Sequence, residues 1–133
     1  MMPDLAPLRE LTSEHFPWER WEALIRERGV TIDRPRGSVH PDHRSIVYPI
    51  DYGFIPATTA SDGHEVDVFE GSARNGLVAI IITVDHRKLD REFKLLFNCS
   101  PEEIYLVNGF INFDRRLMEG ELVMRTPIRE LWG

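Results

Sequence analysis

Apolar positions along the chain fall into short stretches with two spacings. From Phe16 to Arg28, Trp18, Trp21, Leu24 and Ile25 form a stripe at helical intervals, with Pro17 suited to the first turn and Gly29 to the stop. That stripe serves packing, a cap on a barrel mouth or an oligomer contact, with packing favoured. Val30 to Asp33 reads as a short strand. Arg34-Pro35-Arg36-Gly37-Ser38 follows as a turn, and His40-Pro41-Asp42-His43-Arg44 as a polar loop leading into Ile46 to Tyr48. Val66 and Val68 alternate with Glu65, Asp67 and Phe69, the period of a strand. Leu77 to Val84 is the most apolar run and predicts a strand buried on both faces. Asp85 to Asp90 is a charged connection. Arg91 to Asn98 alternates again, with Phe93, Leu95 and Phe97 on one face and Glu92, Lys94 and Asn98 on the other.

A second helix begins at Ser100-Pro101-Glu102-Glu103, which combines a capping serine, a proline at the first position and a glutamate three residues on. Ile104, Val107 and Ile111 give its inner stripe. Asp114-Arg115-Arg116 and Glu119-Gly120 read as loop and turn, and Leu122 to Arg125 as a last strand. Short strands joined by turns, with two helices around them, predict an α+β domain built on a small barrel.

The chain has 133 residues, enough for one domain over 1–133 with its own core. Residues 1–14, with two prolines and little periodicity, read as an extended N-terminal arm. A net charge of −6 lacks the basic footprint of general nucleic-acid binding. Leu77 to Val84 is too short to cross a bilayer, so no membrane partner is expected. The N-terminus lacks a basic region followed by an apolar one, so no signal peptide is expected. A single cysteine, Cys99, excludes an internal disulfide and fits a reducing, cytoplasmic location.

Candidate chemistry concentrates between Tyr48 and Glu70. Asp62-Gly63 is a turn signal, and Asp67 lies on the strand after it, so both carboxylates can converge. They are then either a solvated acidic hairpin or a pair held together by a proton or a hard cation such as Mg²⁺. Glu92 beside Lys94 is either a cross-strand ion pair or part of a phosphate-and-metal site. His40 and His43 flank Asp42 at a spacing that matches no zinc pattern, which favours surface polar residues over ligands.

Tyr48-Pro49-Ile50-Asp51-Tyr52-Gly53-Phe54, followed at the right distance by Asp62-Gly63-His64-Glu65-Val66-Asp67-Val68, resembles the paired motifs of the soluble, family I inorganic pyrophosphatases. The resemblance covers roughly residues 30 to 98. It implies a closed or partly open five-stranded barrel of the oligonucleotide-binding type, and metal-dependent hydrolysis of pyrophosphate, or a related phosphoanhydride, to two phosphates. By that resemblance Asp62, Asp67, Asp85 and Glu92 are metal ligands. Lys94 and Tyr52 contact phosphate, Arg44 and Arg115 are substrate-binding residues, and His64, Asp67, Tyr52 and Lys94 are catalytic.

The sequence also departs from the pattern. His64 replaces the middle aspartate, two residues are inserted between Asp85 and Glu92, and Asp114 stands where a tyrosine belongs. An imidazole serves as a base near neutrality or as a ligand for Mn²⁺, Co²⁺ or Zn²⁺, but is a poor Mg²⁺ ligand. A family lysine-x-glutamate ahead of the first turn is replaced by Gly29-Val30-Thr31. The expected partners are pyrophosphate and further copies of the chain in a homo-oligomer. The alternative is a non-catalytic phosphate- or nucleotide-binding homologue that retains the barrel.

Overall fold

The computed structural model describes residues 16–60, 63–86 and 90–132. The arm over 1–14 therefore lies outside the described residues, as does Asp62. In chain order the described elements are α1 (Trp18–Arg28), β1 (Thr31–Arg34), β2 (Asp51–Ile55), β3 (Val66–Glu70), β4 (Leu77–Asp85), β5 (Asp90–Phe97), α2 (Pro101–Ile111), β6 (Met118–Met124) and α3 (Arg129–Trp132). No described helix is long and apolar enough to cross a membrane.

The α+β class holds, with differences in detail. The six strands form one mixed sheet in the order β1-β2-β3-β5-β4-β6. The expected count was five. β1 and β6 occupy opposite ends, and among the described residues no pairing closes the sheet into a barrel. Three helices are described in place of two, the addition being the short α3. Adjacent strands pair antiparallel except β3 and β5, which run parallel with Val68 opposite Leu95 and Phe69 opposite Leu96. Ile46 to Tyr48 makes only a single bridge, between Val47 and Val39.

β4 is the keystone. All nine residues from Leu77 to Asp85 are buried, because the sheet has a core on each face. Leu77, Ile80 and Ile82 pack with Val66, Val68, Leu95 and Phe97 against Trp18 and Ile25 of α1. Val78, Ala79 and Ile81 pack with Phe69 and Leu96 against Ile104, Val107 and Ile111 of α2. A register shift between Leu77 and Ala79 puts Val78 and Ala79 in the same core. A continuous apolar run is what a strand covered on both sides requires.

The helix boundaries follow local chemistry. Gly29, at φ +75°, ends α1, its N–H donating to the Ile25 carbonyl at 2.7 Å. At α2 the anticipated capping box is complete: Glu103 N–H donates to Ser100 Oγ, and the Ser100 N–H donates to Glu103. Glu103 also accepts from the Ser72 N–H at 3.0 Å, tying the β3–β4 turn to the helix.

Two glycines were misread or under-read from sequence. Glu119-Gly120, expected as a turn, lies within β6, with Gly120 opposite Thr83. A β-carbon on Gly120 would stand 2.6 Å from Ile111 and 2.8 Å from Ile81, so this glycine makes room for α2 to seat on the sheet. A β-carbon on Gly53 would fall 1.9 Å from the Thr31 carbonyl oxygen, because β1 crosses β2 closely there.

Gly53→Ala is therefore expected to lower stability by about 1–3 kcal/mol through overpacking of the β1–β2 pair, measured by urea denaturation. An unchanged midpoint would mean that β1 yields freely. Glu103→Ala should cost about 1–2 kcal/mol by orphaning the Ser72 and Ser100 N–H groups. Burial works to raise the Glu103 carboxyl, but hydrogen bonds from Ser100 and Ser72 hold it below its ordinary value of 4.5. A depressed acid stabilises the fold above its unfolded value and loses that contribution as pH falls through the folded one. The deficit of Glu103→Ala should thus be full above pH 4.5 and shrink below it.

Candidate active site

Strand alternation turns every acidic or basic candidate on β3, β4 and β5 to the α2 side of the sheet. Val66 and Val68 enter the α1 core, so Asp67 and Phe69 face the other way. On β5, Phe93 and Leu95 face α1, so Glu92 and Lys94 face α2. On β4, Ala79 and Ile81 face α2, and the same parity carries Thr83 and Asp85. Between this face, α2 and the loop over 40–48 opens a cleft of about 1200 Å³, whose lining includes Tyr52, His64, Asp67, Asp85, Glu92 and Lys94.

Lys94 is its centre. The side chain rises from the middle of β5 and is only 6% exposed. Its ammonium donates to Asp67 Oδ2 at 2.7 Å and to the Tyr52 hydroxyl at 2.9 Å, and lies 5.4 Å from the Tyr52 ring centroid. Burial opposes a charge here, yet Tyr52, Asp67 and Glu92 around the group raise the Lys94 pKa and keep it an ammonium. Burial pushes the Tyr52 phenol up, with the Asp67 charge adding to the effect, so Tyr52 stays a neutral hydroxyl. The site therefore presents a fixed cation and a hydroxyl to the cleft.

A second cation stands on the neighbouring wall. Arg34 donates to the Tyr48 hydroxyl, with its guanidinium carbon 5.3 Å from the Tyr48 ring centroid and 5.9 Å from that of Tyr52. The two rings are 5.3 Å apart, so Arg34, Tyr48, Tyr52 and Lys94 form one continuous wall. Sequence reading took Arg34 for a turn residue. It is the last residue of β1, and the register shift between Ile32 and Arg34, invisible to alternation, brings it onto the cleft.

The other anticipated residues divide. Asp67, Asp85, Glu92, Lys94, Tyr52 and His64 share the cleft, His64 from its exposed rim. Arg44 is exposed and outside the lining, although His43 and Ser45 on either side belong to it. Arg115 is also exposed, outside the lining, and 3.6 Å from Glu119. Asp62 lies outside the described residues. Among the described residues, no group of three histidine, cysteine, aspartate or glutamate side chains is placed to hold a metal ion. Asp67, Asp85 and Glu92, among the carboxylates that line the cleft, are nonetheless donors of the kind Mg²⁺ takes. That ion is commonly held by one or two carboxylates together with substrate oxygens and water. The donor set fits it in kind.

Residues 30–86 match a protein-family model described as inorganic pyrophosphatase. Two solved structures share the fold. An inorganic pyrophosphatase from Coxiella burnetii is 16% identical, with a TM-score of 0.53 over 72% of this chain and 84% of that one. An inorganic pyrophosphatase from Helicobacter pylori is 16% identical, with a TM-score of 0.52 over 78% of this chain and 92% of that one. Sequence comparison with curated proteins gives no match.

An acid cluster alone would make neutralising Asp67 harmless or slightly stabilising, because like charges repel. In the structure Asp67 is the counter-ion of a buried ammonium, so Asp67→Leu is expected to cost about 3 kcal/mol. Asp67→Asn should cost less, because its amide oxygen still accepts from Lys94. Equilibrium unfolding of the three proteins decides the sign, and a more stable Asp67→Leu would restore the repulsion account.

Proposed function

We propose that this chain is a divergent, shortened relative of the soluble inorganic pyrophosphatases and that it hydrolyses inorganic pyrophosphate to two phosphates, a reading supported by the family match over residues 30–86 and by the shared fold. The observation that carries the reading is a lysine held charged and hydrogen-bonded among carboxylates, on the strand face where the family-matched segment contributes Tyr52, Asp67 and Asp85. Pyrophosphate is densely anionic, and its hydrolysis needs cations placed where charge accumulates. Lys94 supplies one, oriented by Asp67 and Tyr52. Arg34 supplies a second, in the role that sequence reading gave to Arg44.

Asp67, Asp85 and Glu92, with Asp62, would hold a divalent cation, Mg²⁺ by preference of the carboxylates. When bound, that ion lowers the pKa of its water and neutralises phosphate oxygens. His64 at the rim is the proposed proton acceptor. The small substrate, the homo-oligomer and the cytoplasmic location complete the proposal.

One observation favours a second reading, in which the cleft binds phosphate without turnover. Asp67 is already engaged by Lys94 at 2.7 Å, which weakens it as a metal ligand. A single assay separates the two: phosphate release from pyrophosphate with Mg²⁺, Mn²⁺, Co²⁺ and Zn²⁺ across pH, for wild type, Asp67→Asn and His64→Asp. The hydrolase reading predicts metal-dependent release that Asp67→Asn reduces at least about a hundredfold, consistent with a lost transition-state contact of ~3 kcal/mol. It also predicts a wild-type rate that is weak with Mg²⁺ and improves with a nitrogen-accepting metal. His64→Asp should move the preference back to Mg²⁺. Pyrophosphate binding without release under any metal would favour the binding reading.

A further inference from the structure

The cleft is larger and more apolar than a site for two phosphate groups alone. At about 1200 Å³ it reaches the size of sites for drug-sized organic ligands, roughly 300–1,000 Å³. The polar half holds Lys94 and Arg34. From there an aromatic path leads outward, with Tyr52 and Tyr48 centroids 5.3 Å apart and Tyr48 and Phe110 centroids 5.0 Å apart. It ends on the outer face of α2, where Tyr105 is 61% exposed and Leu106 53%, and just past the helix end at Phe113, 83% exposed. All three line the same cleft as Lys94.

Gly109 strengthens the point. A glycine inside a helix costs about 1 kcal/mol relative to alanine. This one adopts no left-handed backbone, and an added β-carbon would meet nothing within 4 Å. Neither turn geometry nor packing calls for it. Its effect is to leave open space on the cleft side of the helix one turn beyond Tyr105, between the exposed rings of Tyr105 and Phe113 in sequence.

We propose, building on the pyrophosphate-hydrolase reading above, that the same site also takes a nucleoside 5′-diphosphate as substrate. Its diphosphate lies at Lys94 and Arg34, and its base stacks in the space at Gly109, against Tyr105 and Phe113. Base stacking on aromatic side chains suits this surface, since every base offers a flat π-face. In the reaction the oxygen of water bonds to the terminal phosphorus as the bridging P–O bond breaks. The electron pair leaves on the bridging oxygen, giving a nucleoside monophosphate and phosphate, and the proton of water passes to solvent.

The test is calorimetric titration of the full chain, in millimolar Mg²⁺, with adenosine 5′-diphosphate and separately with inorganic pyrophosphate, for wild type, Phe113→Ala and Gly109→Leu. Both sites are open to solvent, so neither substitution threatens folding. The expected result is tighter binding of adenosine diphosphate than of pyrophosphate. Each variant should reduce that ratio about tenfold, the effect of losing one stacking contact. Tight pyrophosphate with weak adenosine diphosphate, or variants that weaken both ligands equally, would overturn the proposal and leave the pyrophosphatase reading standing. Binding of neither ligand would overturn both. A dimer in sedimentation that Phe113→Ala abolishes, with no preference for the nucleotide, would give that surface to a second copy of the chain and likewise overturn it.

Discussion

A buried ammonium needs a reason to remain charged, and in this protein most of the cleft is organised to supply one. Lys94 emerges from β5 into the side of the sheet covered by α2, among Phe69, Leu96 and Tyr52. Moving such a group out of water costs several kcal/mol unless hydrogen bonds and an opposite charge compensate. Asp67 on β3 and Tyr52 on β2 provide both, so three strands are bound to one charge. Arg34 on β1 extends the same arrangement through Tyr48 and Tyr52. The strands that build the sheet and the groups that would meet an anion are in this way the same construction.

Much of that was legible from alternation. The faces of β5 were read correctly from Phe93, Leu95 and Phe97 against Glu92 and Lys94. β4 was recognised as doubly buried because nothing polar interrupts it before Thr83. The start of α2 was legible because capping is local chemistry, complete within four residues. What failed depended on distant neighbours. Gly120 looks like a turn residue until Ile111 and Ile81 are brought against it. Arg34 looks like part of a Pro-Gly turn until an irregular register carries it into the cleft. The motif made Arg44 the substrate arginine by order along the chain, whereas the loop folds so that its neighbours face inward. Asp67 was expected to line the cleft, but its pairing with Lys94 was not, because β3 and β5 are adjacent only through a strand order that skips β4.

The two faces of the sheet carry different duties. Towards α1 lie Trp18, Ile25, Phe93 and Phe97, an apolar layer with Trp21 and Phe16 edge-on to Phe93 at 5.4 and 5.5 Å. Towards α2 the apolar layer covers only part of the face, and the remainder opens as the cleft. A strand with two covered sides thus supports an open site on one side, its backbone from Ala79 to Asp85 paired to both β5 and β6.

The parallel seam between β3 and β5 has a consequence for how the chain avoids misassembly. Side chains on a strand change faces with every residue, so a slip of one position along this seam would turn Lys94 from the cleft into the layer of Phe16, Trp18 and Phe97. Asp67, left on the opposite face, would then be out of its reach. The ion pair with Asp67 therefore proofreads the alignment. In the correct register the charge finds its counter-ion, and in the adjacent one it is parted from it.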